Sequence, residues 1–372
     1  MRLSLRSIAP RGWLAPLLAA PTLPYGGQAA IEGVLMKGTD QAALAVRRRD
    51  GRIEVMDRPA RPRFPRLVKL PFVRGFFVLW DMMTLGLWAL QESSKRFEQD
   101  QLAAEREERA ANGEEAAQPE AEPGEMAPWL RTMLLGVSLL IALFIFKVLP
   151  AMAATGAFSL VGWGPLSEIA DPTFGQQLLA NGIEGIVKLA IFVGYIWGVS
   201  RLEDIQRVFQ YHGAEHIVIN AYEHDDTNQD VEFIKSHTTF HPRCGTSFIV
   251  ILILLSIVLF TVLDWAMVML WPALVVDNIP IWYLRWPLRI LALPLLAGLS
   301  YEVIKSAFRY FGKPLITPLL RFGMLFQALT TRRPSAEQIE VSLVSFNRAR
   351  FLTEQIPEPE QPERVLADGS AA

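Results

Sequence analysis

Every histidine in the 372-residue chain, and its single cysteine, lies between positions 212 and 244: His212, His216, His224, His237, His241 and Cys244. Imidazole nitrogens and a thiolate are the donors that zinc and similar divalent ions select, so this concentration reads as a metal site. Residues 212–216 spell His-Gly-Ala-Glu-His. In such an H-x-x-E-H pattern two histidines one helical turn apart serve as ligands, and the adjacent glutamate, here Glu215, serves as general base. His237 and His241 repeat the four-residue spacing, and on a helix each pair would present both rings on one face. Glu223 shares the face of His212 and His216, but at about 1.5 Å per residue it sits roughly 10 Å beyond His216, too far to join them while the helix continues. A third ligand must come from another segment. His241 or Cys244 is expected, and Glu302 is next, since it would complete a His-His-Glu set. His237, Glu223 and Arg243 are secondary candidates, although Arg243 with Glu215 could be a structural ion pair. His224, among Glu223, Asp225 and Asp226, reads as a solvated loop residue. Cys244 as a nucleophile activated by His241 has no evident oxyanion partner.

At 51% hydrophobic and 20% charged, with mean hydropathy above zero, the chain is too apolar for an ordinary soluble domain of its length. A formal net charge of -2 gives no general attraction to nucleic acid. One cysteine excludes an internal disulfide. The pattern predicts a mainly α, polytopic membrane protein, with about four transmembrane helices, further interfacial helices and a small N-terminal cytoplasmic β-hairpin region. Spans are expected at 129–149, 178–200, 246–270 and 286–304. The segment 72–90 is long enough to cross, but Arg74 and Asp81 disfavour a lipid-facing span, so residues 71–97 are expected to lie in the interface with Trp80 and Trp88 at headgroup depth.

Lysine and arginine placement sets the topology. Residues 148–187 and 272–284 contain neither, whereas residues 1–70 carry thirteen and the 201–245 loop carries Arg201, Arg207, Lys235 and Arg243. Four crossings then leave both termini in the cytoplasm of a bacterial inner membrane. The remaining boundaries follow from composition. Residues 1–24 are a retained extension, because the short apolar run is interrupted by Pro16 and followed by basic sequence. Residues 25–70 are glycine-rich, with a hairpin turning at Asp50-Gly51. Residues 98–127 are an acidic, disordered linker. Residues 128–304 form the bundle and its His-rich 201–245 loop. Residues 305–354 are cytoplasmic or interfacial helices, the last opened by a Ser335-to-Gln338 capping box, and 355–372 are a disordered tail. The glycines of 25–40 lack the context of a phosphate loop.

The stretches YGGQAAIEGVLMKG, YHGAEH followed by Tyr222-Glu223, and HPRCGTSF resemble signatures of the YqhQ-like bacterial membrane proteins, over about residues 25–350. The resemblance implies a metal-dependent enzyme but no substrate or reaction. It marks Gly26, Gly27, Gln28, Glu32, Gly33, His212, Glu215, His216, Glu223, His237, His241, Arg243 and Cys244 as family positions, which adds Gln28 and Glu32 to the secondary site candidates. Members usually have a lysine where this chain has Ile217. The expectation is therefore a membrane metalloenzyme, a hydrolase of lipid or membrane-embedded peptide, with zinc at the cytoplasmic face. Its rival is a metal-stapled adaptor without catalysis. An internal repeat, which a transporter would favour, is absent.

Overall fold

The computed structural model describes residues 25–112, 128–162, 173–270, 282–310, 313–314, 316–355 and 364–366. The N-terminal extension and residues 113–127 of the acidic tract lie outside them. In chain order the elements are β1 (Gly26–Ala30), β2 (Gly33–Lys37), β3 (Gln41–Arg47), β4 (Ile53–Pro59), α1 (Arg74–Ala111), α2 (Pro128–Leu143), a π turn (Phe144–Val148), α3 (Leu149–Leu160), α4 (Phe174–Val199), α5 (Glu203–His224), α6 (Val231–Lys235), α7 (Gly245–Leu270), α8 (Trp282–Leu291), α9 (Leu293–Arg309), α10 (Ile316–Leu325), α11 (Gln327–Thr330), α12 (Ala336–Glu354) and β5 (Arg364–Leu366). The chain divides into two units, one of Met1–Ala103, Gly198–Phe248 and Tyr301–Ala372, the other of Ala104–Trp197 and Ile249–Ser300.

The first unit is built on the N-terminal strands, which pair as an antiparallel meander. Side chains alternate across a strand with period two, and here both faces are apolar. Val34, Met36, Ala43, Ala45, Ile53 and Val55 face Ile217, Ile219, Ile339, Val341, Val344 and Phe346 of α5 and α12. Leu35, Ala42, Leu44, Val46 and Met56 face Leu85 and Ala89 of α1. A one-residue slip would exchange the two sets, so the register is firmly specified. The expected hairpin is present: β3 and β4 turn at Asp50-Gly51, with Gly51 at φ 88 and the Arg52 N–H donating to Asp50. The preceding hairpin, β1–β2, was not foreseen, because glycines obscure its alternation. α12 opens with the anticipated box, Gln338 N–H donating to Ser335 Oγ and Ser335 N–H to Gln338 Oε1.

Three expectations are corrected. Residues 98–111 are helical rather than disordered, continuing α1; their alanine, glutamate, glutamine and arginine are strong helix formers, and Arg48 clamps Asp100 through Nε and Nη2. Within the 355–372 tail, β5 pairs parallel with β4, Ile53 opposite Arg364. The 286–304 span is not one helix: α8 and α9 meet at a bend before Pro294, whose ring has no N–H and crowds the preceding turn.

In the second unit the helices are long and apolar. Among the described residues three segments, Gly136–Leu160, Phe174–Val199 and Gly245–Met267, have the length and composition to cross a membrane. Large side chains such as Leu139, Leu140, Ile141, Ile186 and Tyr195 are exposed on them, as a lipid-facing surface would be.

Since Ile339 is fully buried between α12 and the sheet, Ile339→Ala should cost about 2–5 kcal/mol. Leu87→Ala, at an exposed site on α1, should cost less than about 0.5 kcal/mol. Thermal or denaturant unfolding of the two variants in detergent checks the contrast.

Candidate metal centre

The middle of α5 is enclosed: Gly213 to Ala221 are all buried. Such a helix must satisfy its polar side chains within the protein, and the loop 236–244 supplies what they need. Asn220 Nδ2 donates to the Thr238 and Phe240 carbonyls at 2.7 and 3.1 Å, which fixes the intervening Thr239. The Thr239 carbonyl accepts from His216 Nδ1 at 2.5 Å. On the other side of the site the Thr330 carbonyl accepts from His212 Nδ1 at 2.9 Å. Gly213 makes that approach possible, since a Cβ there would stand 2.0 Å from the Arg332 carbonyl oxygen, and the Arg332 N–H is bonded to Phe209.

A carbonyl oxygen only accepts, so both imidazoles carry their proton on Nδ1 and keep Nε2 for another partner. Nδ1-to-carbonyl bonding is the usual support of a metal-ligating histidine. The rings lie 4.5 Å apart between centroids, and His212 Nε2 is 3.3 Å from Cys244 Sγ. One ligand atom from each of His212, His216 and Cys244 falls within 4.8 Å of the others, and among the described residues this is the group of three that could hold an ion. Two imidazoles and a thiolate fit zinc.

Electrostatics agree with the donor set. Burial pushes the Cys244 thiol up, but the His216 and His212 rings pull it further down, to well below its ordinary value. Burial alone would lower His212; its contact with Cys244, the nearby Glu215 and the Thr330 carbonyl instead raise it to about 9. Glu215 is buried and raised above the usual carboxylate range by desolvation, with His216 and His212 opposing. Its methylene packs on β1, where a Cβ at Gly27 would be 2.9 Å from Glu215 Cγ. Gly27 of the N-terminal motif thus leaves room for the Glu215 side chain.

The other candidates are placed elsewhere. His241, buried and with its ordinary pKa lowered by desolvation, has its ring 5.7 Å from that of His216, but its Nε2 faces Glu223 Oε2 at 3.7 Å. Gln327 holds its backbone, accepting from the His241 N–H at 2.8 Å and donating to its carbonyl at 2.7 Å. Arg243 pairs with Glu223, not with Glu215. His237 and His241 do not share a helical face: α6 ends at Lys235, Asn220 takes carbonyls of the loop, and Pro242 disfavours helix at the residue before it. His237 instead meets His224, Nε2 to Nδ1 at 3.1 Å, so His224 is partnered. Glu302 is removed from the ligand set by Arg74, whose Nε donates to it at 2.6 Å. Gln28 donates to the Met82 carbonyl, and Glu32 pairs with Arg207 and Tyr211; both tie the β1–β2 hairpin to helices. Ile217 lies in the apolar core, where a lysine would be costly. Thr239, Thr330 and Gln327 were not foreseen. Two of them act through backbone carbonyls, which leave no mark in side-chain chemistry.

A sheet sandwiched by helices, three helices of membrane-spanning length and a His/His/Cys cluster define the kind of protein this is. The chain belongs to the family described as "Protein of unknown function (DUF1385)", which it matches over residues 70–351. It is 32% identical over 341 residues to the "Uncharacterized protein YqhQ" of Bacillus subtilis (strain 168), covering 90% of this chain and 96% of that relative. No solved structure matches.

In metal-free protein the thiolate absorbance near 240 nm should titrate at a pH well below the ordinary thiol value of 9.0 and be missing from Cys244→Ser. His212→Ala should move that midpoint upward, because the imidazolium that favours the thiolate is gone.

Proposed function

We propose that the protein is a metal-dependent hydrolase of the bacterial inner membrane. His212, His216 and Cys244 hold one zinc ion. The observation that carries this reading is the orientation of the two imidazoles, each with Nδ1 on a backbone carbonyl and Nε2 left to share an ion with the thiolate. Three protein ligands leave a coordination position open, as catalytic zinc sites do. A bound zinc ion supplies Lewis acidity toward the substrate's polar bond. Glu215 accepts a proton from water as the water oxygen attacks an ester or amide carbon, and returns that proton to the leaving group. Burial raises the Glu215 carboxyl above its ordinary value, the direction that favours a carboxyl group that returns its proton.

Topology supports a membrane substrate. α2–α3, α4 and α7 supply three crossings and the bent α8–α9 segment the fourth, which leaves both termini and the 201–245 region in the cytoplasm by the positive-inside rule. Cys244 immediately precedes α7, so the site lies where a span begins, within reach of a lipid or a membrane-embedded peptide. The exposed Trp80 on α1 suits residues 71–97 to the interface. A second reading rests on His241: with its ring beside His216, it could supply a fourth protein ligand and make the ion a structural staple.

Purified protein should hold one zinc per chain, lost in His212→Ala, His216→Ala and Cys244→Ser and kept in His241→Ala. Glu215→Gln should keep fold and zinc yet fail to complement a strain lacking the gene. A Glu215→Gln protein that complements fully would overturn the hydrolase and favour the staple.

A further inference from the structure

The segment between β4 and α1 carries a basic and apolar surface that the His/Cys site does not use. From Asp57 to Asp81 the sequence holds six cations, Arg58, Arg61, Arg63, Arg66, Lys69 and Arg74, and no carboxylate between those two aspartates. Two of the six already have partners: Arg58 lies 5.0 Å from the centroid of the Trp88 ring, and Arg74 pairs with Glu302. Arg61, Arg63, Arg66 and Lys69 are exposed, and among the described residues none of these four has an ion-pair partner. Large apolar side chains are interleaved with them, since Phe64, Leu70, Phe72 and Val73 are exposed as well. A single exposed apolar residue is ordinary, but a group of them rimmed by polar side chains marks an interaction surface.

The segment is held as an ordered platform. The Leu67 and Val68 N–H groups donate to the Phe64 carbonyl at 3.0 and 3.2 Å, and the Arg74 N–H donates to the Leu70 carbonyl at 2.9 Å. The Phe64 ring packs on Phe77 of α1 with centroids 5.0 Å apart, and the Arg63 N–H donates to Asp81 Oδ2 at 3.3 Å. Phe72 takes φ 63, the left-handed region that bulky residues avoid, and its N–H donates to Glu302 Oε1 at 3.3 Å. Backbone of this kind persists where its surroundings impose it, as at ligand clamps. Exposed apolar residues continue along α1 at Trp80, Met83, Leu87 and Leu90, a three- to four-residue spacing that places them on one face.

Charge and apolarity together select the occupant. A single-stranded nucleic acid would use the cations and could stack on Phe64 and Phe72, but it has no use for Leu70, Val73 and the aliphatic part of the α1 face. An anionic bilayer surface uses both kinds of residue, because its phosphates meet the cations while its acyl boundary accepts the apolar side chains. We propose that residues 61–73, with the exposed face of α1, bind the anionic phospholipids of the membrane surface. Arg61, Arg63, Arg66 and Lys69 receive headgroup phosphates, the planar guanidinium forks matching phosphate oxygens. Phe64, Leu70, Phe72 and Val73 enter the acyl boundary. The inference rests on the membrane reading above and not on the metal, and it adds the class of lipid that the surface selects.

The test is hydrogen–deuterium exchange, read by mass spectrometry, on the full-length protein in nanodiscs of phosphatidylcholine alone or with about 30 mol% phosphatidylglycerol. Peptides from residues 61–73 should exchange about tenfold more slowly in the phosphatidylglycerol discs, while those of the β3–β4 hairpin stay unchanged. In about 1 M salt, where the screening length falls to about 3 Å, the difference should vanish. The combined variant Arg61→Gln, Arg63→Gln, Arg66→Gln and Lys69→Gln should enter both kinds of disc and exchange alike in them, and the salt dependence of the parent gives the same reading should that variant not fold. Equal exchange of the parent in the two discs overturns the proposal and leaves the membrane reading standing. So does a slowing that the folded variant retains, or one produced in phosphatidylcholine discs by an RNA oligonucleotide or an acidic peptide and not by phosphatidylglycerol. A protein that enters neither disc overturns the membrane reading itself, and this inference with it.

Discussion

Two hydrogen bonds, from His212 Nδ1 to the Thr330 carbonyl and from His216 Nδ1 to the Thr239 carbonyl, decide what the cluster can do. They fix the orientation of both rings, with Nδ1 of each on a carbonyl, and leave each Nε2 as the atom that can meet an ion shared with Cys244. Without them the imidazoles would be free to rotate or change tautomer, and proximity alone would not make a ligand set. Much of the first unit contributes to holding those two carbonyls. Asn220 holds the loop around Thr239. Gln327, fully buried, ties His241 to Ser247 at the start of α7. Gly213 admits the chain at Arg332.

The same constraint explains the burial of α5. A helix carrying His216, Glu215 and Asn220 on enclosed faces is a poor choice for a core unless its polar groups are all used. The apolar residues of the run, Ile217, Val218, Ile219 and Ala221, anchor it between the sheet and α12. The polar ones face the loop. Glu215 is the exception: its carboxylate lies near the rings and the thiolate, and desolvation is the largest influence on it. A carboxylate enclosed beside titratable groups is costly in a structural role and useful in proton transfer.

Much of this was legible in the sequence, for identifiable reasons. The His212/His216 pair, the Asp50-Gly51 hairpin and the Ser335 cap follow from local spacing and turn chemistry, and the structure contains all three. The choice between His241 and Cys244 was open, because it depends on where a non-helical loop directs two side chains three residues apart. The structure groups Cys244 with the histidines and turns His241 toward Glu223. Glu302 and Arg243 were misread because their partners, Arg74 and Glu223, are distant in sequence or had been paired otherwise. The β1–β2 hairpin is hidden by its glycines, of which Gly27 lets Glu215 pack against it. The helix through residues 98–111 was hidden by charge: the tract looked solvated, and its helix-forming alanines and glutamates weighed less than its acidity.

The central claim is that His212, His216 and Cys244 share one ion. X-ray absorption at the zinc edge of the purified, zinc-loaded protein tests it directly. The account predicts one sulfur at about 2.3 Å and two imidazole nitrogens at about 2.0–2.1 Å, with the sulfur shell lost in Cys244→Ser. A zinc shell of nitrogen and oxygen alone in the parent protein would contradict it.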